Sequence, residues 1–109
     1  MDIRTERIRA LNDRLRATGE GGNVVITRGL AALDGETLRK IMAAVQCFDR
    51  FTADNDPYGE HDCAITDVAG ERVMFKIDYY DRAMQGHSPD ESDPTVTTRV
   101  LTIMLASEY

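Results

Sequence analysis

A chain of 109 residues, 42% hydrophobic and 29% charged, has the size and composition of one ordinary globular domain, which excludes global disorder and fibrous architectures. A domain of this length buries roughly two-thirds of the surface its unfolded chain exposes, enough for one core. Without Trp, that core must rest on Leu, Ile, Val, Met and three Phe.

The net charge of −6 is unevenly spread. Residues 52–93 carry eleven Asp/Glu against three Lys/Arg, a net of −8, whereas residues 1–51 stand at +2 and residues 94–109 at zero. An acidic middle argues against direct nucleic-acid binding by that segment, because such affinity comes from cations neutralising phosphates. It favours cations or a basic protein partner. No apolar run is long enough to span a bilayer, and Met1-Asp2-Ile3-Arg4 lacks the apolar core of a signal peptide. A cytoplasmic location with no membrane contact is expected. Cys47 and Cys63, with no repeated or close spacing, read as reduced, buried thiols.

The first element is a helix over about residues 3–18, capped by Asp2, with Ile8, Leu11 and Leu15 as a narrow apolar stripe. Its five Arg make a basic, solvated face that partly offsets the acidic middle. Gly19, Gly21 and Gly22 end it. A strand follows at about 23–27, centred on Val24-Val25-Ile26. The glycine loop precedes this strand, whereas phosphate loops follow a strand and open a helix, so it does not read as one. Thr27-Arg28-Gly29-Leu30 is a turn. Asp34 caps a second helix over about 35–51, whose Leu38, Ile41, Met42, Val45 and Phe48 form a broad core face.

Two strands, about 62–68 and 72–79, then make a hairpin around Ala69-Gly70-Glu71. In the second, Val73, Phe75, Ile77 and Tyr79 face the core, so Lys76, Asp78 and Tyr80 face away. A loop rich in Gly, Ser, Pro and acids runs from Asp81 to Asp93. Asp93-Pro94 reads as the start of a third helix, about 94–106, with Val96, Val100, Ile103 and Met104 in one stripe. The expected fold is a single α+β domain over 1–109, with helices packed on a small, mainly antiparallel sheet.

Chemistry concentrates in Asp54-Asn55-Asp56-Pro57-Tyr58-Gly59-Glu60-His61-Asp62, which holds four carboxylates, a phenol and an imidazole with no Lys or Arg, and in its echo Lys76-Ile77-Asp78-Tyr79-Tyr80-Asp81. The first run copies the opening of a calcium loop and then fails, with Ile65 where a bidentate Glu is needed. Asp56, His61, Asp62 and Asp78, helped by Asp54, Glu60, Asp81 or His87, are the candidate ligands for another divalent metal, the one cofactor these loops suggest. Glu60 and His61 are candidate general bases, with Tyr80 as proton donor, but no nucleophile with an adjacent base is identifiable and the chain reads as more consistent with a non-enzyme. The plainer reading makes His61 a hydrogen-bonded structural residue. The loops then form turns tied by their own hydrogen bonds and by pairing of Glu60, His61 and Asp62 with Arg72, Lys76 or Arg82.

These runs, with Leu11-Asn12, Ser88-Pro89, Asp93-Pro94 and the tail Arg99-Val100-Leu101-Thr102-Ile103-Met104-Leu105, resemble a small bacterial family called domain of unknown function 3768. Cys63-Ala64 stands where that family commonly has Phe-Gly. The resemblance covers most of the chain, transfers no activity, and implies occurrence in phages and plasmids as well as bacteria. The combined expectation is an acidic binding module that presents Asp54, Asp56, Tyr58, Glu60, Asp62, Asp78, Tyr80 and Asp81 to a basic protein partner, as an anti-CRISPR or anti-restriction inhibitor would. The alternative is a metal-binding protein or small metal-dependent hydrolase built on residues 54–62.

Overall fold

The computed structural model describes residues 2–109. Its elements are α1 (Ile3–Thr18), β1 (Asn23–Ile26), α2 (Arg28–Ala31), α3 (Gly35–Gln46), β2 (Cys63–Val68), β3 (Glu71–Tyr80) and β4 (Thr98–Leu105), closed by a 3-10 turn at Ala106–Glu108. The strands form one sheet in the order β1-β4-β3-β2, parallel between β1 and β4 and antiparallel elsewhere. The fold is α+β as expected. Among the described residues, no helix is long and apolar enough to cross a membrane.

Local chemistry explains most of the boundaries. The Asp2 and Asp34 carboxylates accept from the Thr5 and Thr37 amides at 2.7 and 2.8 Å, satisfying donors that the first turns of α1 and α3 leave free. Gly19 ends α1 in the left-handed conformation, with φ 78°. The β2–β3 hairpin turns through Ala69 and Gly70, both at positive φ, as a two-residue turn that matches the twist of its strands requires.

The core lies between this sheet and the helices. Leu15 of α1, Leu30 of α2 and Ile41 and Val45 of α3 meet Val73, Phe75 and Ile77 of β3 and Leu101 and Ile103 of β4. The period-two reading of β3 holds, since Val73, Phe75 and Ile77 are buried while Lys76, Asp78 and Tyr80 are only partly so.

The helix expected over 94–106 is corrected: this stretch is a turn followed by β4. Asp93 accepts from the Thr95 amide at 2.9 Å, so the apparent helix start is an Asx-type turn. β4 runs between β1 and β3 and carries apolar residues on both faces, which blurs its alternation into something helix-like. The period of two survives in Arg99, Leu101 and Ile103, all buried. Helix α3 also ends earlier than expected, at Gln46; Phe48 and Phe51 reach the core from the chain beyond it, packed edge-on with ring centroids 4.9 Å apart. Residues Arg28–Ala31, expected as a turn, make one helical turn that buries Leu30. Both cysteines are free, but Cys47 is exposed rather than buried.

Candidate functional site

The acidic run between α3 and β2 does not gather into one centre. It divides its side chains among three environments.

The first lies against α1. His61 takes a left-handed backbone, φ 56°, which few residues without a short polar side chain adopt. Its ring stacks on Phe51 with centroids 3.9 Å apart and planes at 6°. Nδ1 stands 2.8 Å from the Asp13 carboxylate and Nε2 3.6 Å from that of Asp56. A carboxylate only accepts, so the Nδ1 proton is the one given to Asp13. Asp56, 8% exposed, also accepts from the His61 amide at 3.1 Å. Arg16 completes the group, pairing with Asp13 at 2.9 Å and lying over Phe51 with its guanidinium carbon 5.2 Å from the ring centroid. His61, Asp56 and Phe51 line an open cleft of about 580 Å³ with Arg9 and the exposed Tyr58; Arg9 Nε donates to the Gly59 carbonyl at 2.7 Å.

The second environment is interior. Asn12 donates from Nδ2 to the Glu60 carbonyl at 3.0 Å and to the Tyr79 hydroxyl at 2.8 Å, and accepts from Arg99 Nε at 3.0 Å. The Tyr79 hydroxyl donates to the Glu60 carboxylate at 2.8 Å. Arg99 also donates to the Glu91 carbonyl and lies over the Tyr79 ring, 5.3 Å from its centroid. Burial, more than any other effect, pushes the Tyr79 phenol far above its ordinary range and lowers the Arg99 guanidinium from its own. The links made by Asn12 join α1 to the acidic run, β3 and β4, all distant in the chain, which fits a fastening role.

The third is a cleft of about 380 Å³ at the end of β3, lined by Asp62, Ile77, Asp78, Tyr79, Tyr80, Gly86 and His87. The Asp62 carbonyl accepts from the Ile77 amide at 2.7 Å, extending the β2–β3 ladder and fixing Asp62 at the cleft. Tyr80 pairs with His87 across the following loop. Lys76 holds Asp78 at 2.5 Å, whereas the Asp62 carboxylate makes no ion pair and no hydrogen bond to another residue among the described residues. Burial is the main effect raising the Asp62 carboxyl above its usual range, and the neighbouring Asp56 and Asp78 add to it.

The catalytic candidates are therefore separated: His61 opens on one cleft, Tyr80 on another, and Glu60 is engaged by Tyr79. Among the described residues, no three His, Cys, Asp or Glu side chains form a group able to hold a metal ion; Asp56 and His61 line the first cleft and Asp62 and Asp78 the second. Asp54 is exposed, and Asp81 accepts from the Gln85 amide at 3.0 Å. The expected pairing of Glu60, His61 and Asp62 with Arg72 or Lys76 is also corrected. Arg72 pairs with Asp67 and Lys76 with Asp78, each with a carboxylate of its own hairpin that lies closer.

Asn12, Asp13, Arg16 and Arg99 were not singled out as site residues from sequence. Asn12 carried a signal, because it falls one helical turn after buried Ile8 on the apolar side of α1. A polar residue at such a position needs buried partners.

Comparison with curated proteins and with solved structures finds no match. The family described as protein of unknown function (DUF3768) matches residues 26–108, a span that holds both acidic runs and all of α3 to β4. The chain belongs to that family.

Proposed function

We propose that this chain is a non-catalytic protein-binding module whose cleft at the end of β3 receives a basic side chain of a protein partner. The observation that carries this reading is Asp62, a partly buried carboxylate with no cation of its own, beside Asp78 and the rings of Tyr79, Tyr80 and His87. A guanidinium or ammonium there gains a carboxylate partner and aromatic surface together. The net charge of −8 over residues 52–93 favours approach to a cationic surface. Nucleic-acid enzymes carry such surfaces, so an inhibitor of that machinery, of the anti-CRISPR or anti-restriction type, is the concrete version.

Titration of the labelled protein with a hexa-arginine peptide tests the reading by NMR. Saturable shifts at Asp62, Asp78, Tyr80 and His87 that weaken with added salt and disappear in Asp62→Asn are expected. Binding that maps to other acidic residues, or survives Asp62→Asn unchanged, overturns it.

A further inference from the structure

The cleft between α1 and the acidic run, about 580 Å³, has no part in the binding just proposed, yet polar groups in its lining are left unfilled. Arg9, Phe51, Asp56, Pro57, Tyr58 and His61 are among its lining residues. The Asp56 side chain is 4% exposed, and its Oδ1 accepts from the His61 amide. Its Oδ2 has no hydrogen-bond partner; His61 Nε2 stands 3.6 Å away, beyond hydrogen-bonding reach. With the Nδ1 proton given to Asp13, the neutral His61 ring carries a lone pair at Nε2. Two acceptors thus stand side by side with no donor between them. Arg16 Nε is the one side-chain N or O atom of a buried or half-buried residue that is both sealed from solvent and unpartnered among the described residues, so Asp56 Oδ2 and His61 Nε2 both remain open to solvent. A carboxylate this buried is costly unless a donor reaches its free oxygen.

The same cleft holds a cation with unused donors. Arg9 Nε donates to the Gly59 carbonyl at 2.7 Å, which fixes the half-buried guanidinium, while Nη1 and Nη2 have no acceptor and Arg9 makes no ion pair among the described residues. The chain passes close by, since a Cβ on Gly59 would stand 3.0 Å from Arg9 Nη2. The Gly59 amide donates in turn to the Asp56 carbonyl at 3.1 Å, closing a four-residue turn whose end Cα atoms lie within about 7 Å. The guanidinium and the free carboxylate oxygen are therefore anchored at the two ends of one turn without pairing with each other. Asp2, the other acid of the lining, is committed to the Thr5 amide. Apolar surface is supplied by Phe51, Pro57 and the Tyr58 ring, 80% exposed.

We propose that this cleft binds a free α-amino acid with an aromatic side chain. The ammonium group supplies the donors that Asp56 Oδ2 and His61 Nε2 lack, the carboxylate meets the Arg9 Nη donors, and the ring lies against Tyr58 and Pro57. One small molecule answers both ends only if it carries the opposite charges a few bonds apart, with a hydrogen bond of about 3 Å at each end, as an α-amino acid does. A peptide N-terminus carries the ammonium alone and leaves Arg9 without a partner. The site is independent of the Asp62 cleft.

The test is amide NMR titration of the labelled protein with L-phenylalanine and with its two half-molecules, phenethylamine and 3-phenylpropionate, at matched ionic strength. Saturable shifts at Tyr58, Gly59 and His61 are expected with phenylalanine, and each half-molecule should bind about tenfold more weakly or worse. Arg9→Gln should weaken phenylalanine about tenfold and leave phenethylamine unchanged. Asp56→Asn, which keeps an oxygen for the His61 amide, should weaken phenylalanine and phenethylamine alike and leave 3-phenylpropionate unchanged. Arg9 lies outside the core, so its variant decides the question if Asp56→Asn fails to fold. No saturation by phenylalanine, equal saturation by a half-molecule, unchanged affinity in Arg9→Gln, or shifts confined to Asp78, Tyr80 and His87 overturn the proposal.

Discussion

The Asn12 side chain accepts from Arg99 Nε at 3.0 Å inside the protein, across 87 positions of sequence, and both residues are at most 2% exposed. This contact ties α1 to β4, and through Glu60 and Tyr79 it also holds the end of the acidic run and the end of β3. Replacing Asn12 by Leu keeps the volume but strips a buried guanidinium, a hydroxyl and a carbonyl of a partner at once. A loss of about 3 kcal/mol is expected, read from the urea midpoint. Arg99→Met in the Asn12→Leu background should recover part of it, because the stranded charge is then gone. Recovery of nothing would mean that the two side chains do not act through each other.

Asp62 should work in the opposite sense. Its folded-state pKa is raised above the unfolded value of 3.8, chiefly by burial, so the folded chain holds this proton more tightly than the unfolded one. The stability that this supplies is complete below pH 3.8 and is lost as the pH rises through the folded value. Asp62→Asn removes that penalty. The variant should melt higher than wild type at neutral pH, and the difference should vanish below pH 3.8. A higher melting temperature for the variant would mean that this carboxylate is kept at a cost to folding, as the proposed binding role requires. A variant no more stable at neutral pH would remove that argument.

How much of this was legible from sequence can be judged from β3 and β4, which lie side by side. β3 has a clear alternation because one face carries Lys76, Asp78 and Tyr80, and its facing was read correctly. β4 is central, with β1 and β3 on its flanks and Met104 buried as well as Leu101 and Ile103, so its apolar residues no longer report a single period. The acidic run was visible as composition, but its division among three environments was not. That division depends on Asp13, Arg16 and Arg99, which are partners contributed by α1 and β4 and not by the run itself. Side chains adjacent in sequence turn different ways once backbone such as that of His61 takes a left-handed φ.

The hairpin turn offers a simple gain. Ala69 holds φ 53° ahead of Gly70, although an L-residue with a Cβ pays in this region and Asn tolerates it better. Ala69→Asn gives the Asn-Gly pair that such turns favour and should stabilise the protein by about 0.5 to 1 kcal/mol, seen as a higher melting temperature with an unchanged denaturant slope. No gain, or a changed slope, would argue against release of strain at this turn.

The chain end is fastened by one carboxylate. Glu108 accepts from the Thr27 hydroxyl at 2.6 Å and from the Gly29 and Leu105 amides at 3.0 Å, joining the 3-10 turn to the start of α2. The Thr27 hydroxyl bond and then the Leu105 amide are the main causes that hold this carboxyl below its ordinary value of 4.5. Its contribution is therefore present above pH 4.5 and is lost as the pH falls through the lower folded value. Glu108→Ala should lower stability at neutral pH, reduce the acid dependence of unfolding, and speed hydrogen exchange at the Gly29 amide while the β2–β3 ladder stays protected. Gly29→Ala should do similar damage from the other side, because a Cβ there would stand 2.6 Å from the Glu108 carboxyl carbon. If exchange at Gly29 is unchanged in Glu108→Ala, the α2 turn is held by Leu30 in the core and not by the chain end.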